Sequence, residues 1–168
     1  MRRADGGVHL TESGVRTNRK VVVALAVSAL AVLVSACVQP VGPARTFDSY
    51  QHKAKDTAET TLSSVQTGRL GAQTARRDDA FAPYLAVLLS NAEDEASGAQ
   101  TTFDSVQPPN DRSDNLRDDL DPLLTRAVDA LSQARIAARR ADFDELAKQA
   151  RPLARSARAL NRFLEEKA

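Results

Sequence analysis

Four stretches of the chain carry apolar residues at steps of three and four, which is the spacing of one face of a helix. The first stretch runs from about residue 46 to 77, and we predict one long helix there despite Gly68 and Gly71. The alternative is a turn at residues 67–71. The apolar positions are Phe47, Tyr50, Ala54, Ala58, Thr61, Val65, Gly68, Ala72 and Ala75, then Leu85, Leu88, Ala92, Ala96, Ala99, Phe103 and Val106, then Leu116, Leu120, Leu123, Ala127, Leu131, Ala134, Ala138 and Ala141, and finally Phe143, Leu146, Ala150, Leu153, Ala157, Leu160 and Leu164.

Polar residues between these stretches predict where the later helices begin. Asp78 and Asp79 are predicted to cap the second helix. Acidic residues at 111–114 suit the start of the third helix, which is the positive end of its dipole. Asp142, with Glu145 three residues later, resembles the capping box of a fourth helix.

The four stretches together predict an all-α domain, an antiparallel up-down four-helix bundle over residues 46–168. No run of alternating β-branched residues competes with this interpretation. Alanine is common at the facing positions, so we expect the helices to approach one another closely. Pro152 lies inside the fourth helix and predicts a kink.

A different pattern precedes this domain. The cations Arg16, Arg19 and Lys20 are followed by an apolar run over residues 21–34, and small residues follow the run. This order is typical of a secretory signal peptide. The run closes with Val34, Ser35, Ala36 and Cys37, and Cys37 is the only cysteine of the chain. The four residues resemble the lipobox of bacterial lipoproteins.

The lipoprotein resemblance implies a cut before Cys37, whose thiol then carries a diacylglycerol thioether. Residues 1–36 would be the signal peptide and residues 37–45 a lipidated tether on the outer face of the cell membrane. Ten residues of extended chain reach at most ~35 Å, so the domain is expected close to the bilayer. An uncleaved membrane anchor is the alternative, although the apolar run is shorter than the ~20 residues a spanning helix needs.

Composition argues against several classes of function. From Cys37 onward the chain holds 18 basic and 20 acidic residues, so nucleic acid is not an expected partner. The same part has one histidine, His52, no methionine and no Glu-x-x-His motif. These absences disfavour di-iron, haem, copper and zinc sites, and we predict no cofactor and no metal.

Two polar groups invite a catalytic or metal-binding interpretation. His52 lies one helical turn from both Asp48 and Asp56, with Ser49 nearby. Neighbours on one regular helix rarely form a catalytic triad, so we interpret them as a surface charge contact. The second group is a cluster of acidic residues at the start of the predicted third helix. These residues have helical spacing and lack the central glycine of a calcium loop, so we interpret the cluster as helix capping and a solvated face. Its members are Asp111, Asp114, Asp118, Asp119 and Asp121.

A basic stripe follows the fourth helix at steps of three and four. Its members are Lys148, Arg151, Arg155, Arg158 and Arg162. We predict that its stems cover the apolar seam and its charges pair with Asp118, Asp121 and Asp129. The alternative is a contact surface for anionic lipid head groups or cell-wall polymers.

The sequence therefore favours a membrane-anchored lipoprotein of the cell envelope that acts as a non-catalytic interaction or structural module. Its expected partners are the membrane, through Cys37, and an envelope protein or polymer. The alternative is a carrier of a small apolar ligand, held between helices loosened at Gly68, Gly98 or Pro152. An enzyme is disfavoured because no nucleophile, base and orienting group share a useful spacing.

Overall fold

The computed structural model describes residues 44–75 and 81–167, which belong to one compact unit, Val41–Ala168. Four helices make up this part of the chain, and no strand occurs in it. They are α1 (Phe47–Thr74), α2 (Ala82–Asp104), α3 (Asp111–Arg139) and α4 (Phe143–Lys167). The prediction of an all-helical bundle is confirmed. The predicted signal peptide and most of the predicted tether lie outside the described residues.

The helices pack around a single apolar core. Each of α1 and α3 contacts both α2 and α4, and α1 and α3 also contact one another. In the described part of the chain, no Cα atom of α2 lies within 8 Å of a Cα atom of α4. The centre of the bundle is therefore the seam between α1 and α3, which is filled mainly by alanine and leucine.

The first helix is continuous through both glycines, as predicted. Gly68 is buried, and a Cβ atom placed on it would lie 2.5 Å from Cδ2 of Leu131 on α3. Leu89 and Leu153 lie within 4 Å of the same point. Close packing at Gly68 therefore offsets its poor helix propensity, and the helices are not loosened there.

The predicted apolar stripes form most of the core, with shifts of one residue in three helices. Leu89 is fully buried where Leu88 was expected, and Leu124 where Leu123 was expected. Near the end of α4 the buried residue is Phe163, and Leu164 is half-buried. The helical repeat of 3.6 residues explains these shifts, because it leaves the choice between a step of three and a step of four to the neighbouring helix.

Side-chain oxygens cap the starts of α1 and α3, but not the start of α2. The Asn110 side-chain oxygen accepts from the backbone N–H of Ser113 at 3.1 Å, so α3 begins where predicted. Thr46 caps α1 in the same way, through Ser49 at 3.2 Å. The N-cap of α2 is Phe81, so this helix begins later than Asp78 and Asp79, which lie outside the described residues.

The connection from α3 to α4 is one tight turn. Ala141 has a φ of 53°, and the N–H of Asp142 donates to the carbonyl of Ala137 at 3.0 Å. These are the features of a Schellman ending, with alanine in place of the usual glycine. Ala141 is exposed, so its predicted place in the apolar stripe is wrong.

Asp142 then caps α4, as predicted. Its carboxylate accepts from the backbone N–H of Glu145 at 2.9 Å. The Glu145 carboxylate does not accept from the backbone N–H of Asp142. It accepts instead from the side chains of Lys148 and Gln149, one turn further along α4. Half of the predicted capping box is therefore present, and α4 continues through Pro152 to Lys167.

Candidate interaction surface

The basic stripe of α4 lies on the outside of the bundle. Lys148 pairs with Glu145 of its own helix at 3.2 Å. The four arginines are exposed, and within residues 44–75 and 81–167 none has a carboxylate oxygen within 4.0 Å. They are Arg151, Arg155, Arg158 and Arg162. The predicted pairing with Asp118, Asp121 and Asp129 is therefore wrong.

The acids of α3 have other surroundings. Asp119 pairs with Lys167 at 3.1 Å. Asp121 lies toward the end of α2, where burial raises the pKa of its carboxyl and the nearby charge of Asp104 raises it further. Arg117 lowers this pKa by a smaller amount than those effects raise it. An acid on the α2 side of α3 cannot reach arginines on α4.

Three of the four arginines line a surface groove between α3 and α4, and we call this the α3–α4 groove. Its volume is about 620 Å³. Charged groups that line it are Arg126, Arg155, Arg158 and Arg162, with Asp129 as the one carboxylate among the described lining residues. Less exposed apolar residues also line it, namely Leu123, Ala130, Pro152 and Ala159. The hydroxyl of Ser156 donates to the carbonyl of Arg126 at 3.5 Å and joins the two helices within the groove.

A second polar cluster, centred on Arg117, is structural. Arg117 Nε donates to the hydroxyl oxygen of Tyr50 at 3.0 Å, and a terminal nitrogen donates to the carbonyls of Asp104 (3.3 Å) and Val106. Burial raises the pKa of Tyr50, and Arg117 opposes that rise. The sequence analysis missed this cluster, since most of its acceptors are backbone carbonyls and carry no residue signal.

The sequence analysis also missed an exposed apolar surface at the start of α2. Phe81, Tyr84 and Val87 are 70%, 63% and 60% exposed. They follow one another at steps of three and so share one face of the helix. Their only sequence signal is that they fall outside the buried stripe that begins at Leu85.

The remaining candidates form no site in the described ranges. His52 is exposed and pairs with neither Asp48 nor Asp56. No group of three or more potential metal ligands comes together among the residues that the structure describes. Their helices include none that is both long and apolar enough to span a bilayer. Val34, Ser35, Ala36 and Cys37 lie outside the described residues.

Comparison with protein families, with curated proteins and with solved structures gives no match for this chain.

Proposed function

We propose that the chain is a membrane-anchored lipoprotein of the cell envelope, and that its helical bundle is a non-catalytic interaction module. The anchor is supported by the order of cations, apolar run and small residues that ends at Cys37. Lipid on Cys37 would hold the bundle at the outer face of the cell membrane.

The observation that carries the interaction role is the exposed arginine face of α4. Arg151, Arg155, Arg158 and Arg162 have no carboxylate within ion-pairing distance in the described part of the chain. A solvated cation on a bundle surface contributes little to stability, but it attracts an anionic partner. The face therefore fits contact with another molecule better than support of the fold.

The same proposal includes an antiparallel up-down order of the helices. Glu93 and Gln100 of α2 contact Arg135 and Thr125 of α3, so moving forward along α2 means moving back along α3. The start of α1 also meets the end of α4, where the Gln51 amide donates to the carbonyl of Lys167 at 2.6 Å. This order would put Ala44, near the end of the tether, at the same end of the bundle as the last turn of α4.

The alternative role, a carrier of an apolar ligand between loosened helices, has less support. The seam at Gly68 is closely packed against Leu131. Among the residues that the structure describes, no atom lies within 4 Å of a Cβ atom placed on Gly98, so none of their helices is packed against that point. Pro152, one of the three expected weak points, borders the α3–α4 groove, and that groove is rich in arginine.

A membrane cross-linking experiment tests the proposal. The full chain would be expressed with its leader, and partners would be captured from intact membranes with a lysine-reactive reagent. We expect Cys37→Ala to move the protein out of the membrane fraction or to leave an unprocessed precursor. We expect Arg151→Gln, Arg155→Gln, Arg158→Gln and Arg162→Gln together to remain in membranes but to lose cross-linked partners.

Tyr84→Gln with Val87→Gln is the matched control, since it changes an exposed surface of α2 without changing charge. Loss of partners in this variant, with the arginine variant unaffected, would contradict the role given to α4. Unchanged membrane retention of Cys37→Ala, with normal processing, would contradict the anchor.

A further inference from the structure

We infer that the α3–α4 groove binds the phosphate-bearing head groups of anionic membrane lipids. The inference rests on the proposed function, because the tether would bring the groove to a bilayer. It goes further in naming the ligand and the side chains that bind it.

The charges of the groove favour an anion. Four arginines and one aspartate line it, a net charge of +3 at neutral pH. Guanidinium groups donate two parallel hydrogen bonds to phosphate oxygens, and they remain charged at any physiological pH. Three of the arginines come from α4 at positions 155, 158 and 162, within about 10 Å along the helix axis. Such a cluster can contact one or two phosphate groups together.

The uncharged lining favours an amphiphile over a free anion. Leu123, Ala130 and Pro152 are half-buried or buried and lie among the arginines. Inorganic phosphate gains nothing from apolar contact, whereas the glycerol and first acyl carbons of a lipid do. Gln133 and Gln149 add amide donors for ester or glycerol oxygens.

The position of the groove favours a lipid over a polymer further out. The backbone carbonyl of Lys167, at the end of α4, accepts from the side-chain amide of Gln51 near the start of α1. Arg162 lies five residues before Lys167. The groove runs along α4 from Gln149 to Arg162, so one end of it lies within about two helical turns of the end of the bundle from which the chain leads back to Cys37. Residues 37–45 span at most ~30 Å, so this end lies nearer to the bilayer than to distant wall material.

Thermal unfolding of the full chain in non-ionic detergent micelles tests the inference. Helix content is followed by circular dichroism, with phosphatidylglycerol, phosphatidylcholine or inorganic phosphate added. A ligand that binds only the folded state raises Tm, by about 3–6 °C at ten times its Kd for a domain of this size. We expect that rise with phosphatidylglycerol alone, and we expect it to shrink as salt is added.

The groove variant carries Arg155→Gln, Arg158→Gln and Arg162→Gln, and it should lose the rise. The matched control carries Arg69→Gln, Arg139→Gln and Arg140→Gln, which removes the same charge from exposed arginines that lie outside both the groove and the arginine face of α4. It should keep the rise. If the triple variant does not fold, Arg158→Gln alone is tested in its place. It should reduce the lipid-induced rise in Tm by half or more.

Equal loss in the control would overturn the inference, because net charge alone would then explain the binding. A rise kept by the groove variants, or an equal rise with phosphatidylcholine, would also overturn it. An equal rise with inorganic phosphate would assign the groove to small anions instead. These outcomes do not depend on how Cys37 is modified, so failure here is distinct from failure of the proposed anchor.

Discussion

The Nε atom of Arg117 on α3 lies 3.0 Å from the hydroxyl oxygen of Tyr50 on α1. The other end of the same guanidinium donates to backbone carbonyls where α2 ends. The Tyr50 ring packs against Phe103, with 5.3 Å between ring centroids. One cation therefore joins three helices and provides hydrogen-bond donors at a helix end whose carbonyls lack helical donors.

Removal of either partner should destabilise the bundle. We expect Tyr50→Phe to lower the free energy of unfolding by about 1–2 kcal/mol, because it removes one hydrogen bond from a charged donor. Arg117→Met should cost more, about 2–3 kcal/mol, since it also leaves the carbonyls without a donor. Urea unfolding followed by circular dichroism measures both values.

The double variant separates the contact from general damage. We expect Tyr50→Phe to cost much less in the Arg117→Met background than in the wild type. Strictly additive losses would show that the two side chains do not stabilise one another.

Asp121 should reduce stability at neutral pH. Burial and the charges of Asp104 and Asp118 raise the pKa of its carboxyl above the ordinary value of 3.8, and Arg117 only partly opposes them. The folded state therefore binds the proton more tightly than the unfolded state does. The stability linked to Asp121 is present below pH 3.8 and is lost as pH rises through the raised pKa.

It follows that Asp121→Asn should raise Tm at pH 7 and that this advantage should fade as pH falls toward 4. Asp56→Asn is the control and should leave Tm nearly unchanged, since Asp56 is exposed on α1 and does not contribute to the raised pKa of Asp121. A lower Tm for Asp121→Asn at pH 7 would show that the ionised carboxylate stabilises the fold.

Replacement of two helical glycines by alanine should change the free energy of unfolding in opposite directions. At Gly98 the new methyl group meets open space, so Gly98→Ala should gain about 0.5–1 kcal/mol from helix propensity. At Gly68 the methyl group would overlap the fully buried Leu131 side chain. Gly68→Ala should therefore lose about 1–2 kcal/mol in spite of its better propensity. Thermal unfolding of the two variants, side by side, checks the prediction, and a gain at Gly68 would contradict the close contact.

The turn between α3 and α4 offers a test in which glycine is favourable. Ala141 has a positive φ, which costs an L-residue about 1–2 kcal/mol. Ala141→Gly removes this cost but adds unfolded-state entropy, so we expect a net gain of about 0.5–1 kcal/mol. Ala141→Val should be destabilising, since a β-branched residue tolerates positive φ least. Equal unfolding midpoints for the three proteins would contradict the turn geometry.

The sequence was most informative about the helices and the core. Apolar spacing predicted α1 as one helix through Gly68, because a nine-position stripe outweighs the propensity cost of two glycines. Spacing could not decide between Leu88 and Leu89, or between Leu123 and Leu124, since both members of each pair suit a helical face. The neighbouring helices make that choice through packing.

The charged groups were less predictable. The expected ion pairs assumed that the acids of α3 face α4. Asp129 does line the α3–α4 groove, but no arginine of α4 lies within 4.0 Å of its carboxylate, and Asp121 lies toward Asp104 at the end of α2. A rotation of α3 by a fraction of a turn decides whether an acid on it faces α4 or α2. The spacing of charges in the sequence does not determine that rotation. Arg117 was missed for a related reason, since most of its partners are backbone carbonyls at or just after the end of α2.

Intact mass measurement of the protein extracted from membranes tests the central proposal most directly. The lipoprotein account predicts a chain that begins at Cys37 and carries the added mass of a thioether-linked diacylglycerol. It also predicts that Cys37→Ala abolishes this species. A membrane-extracted chain with a free thiol at Cys37, or one that retains residues 1–36, would contradict the account.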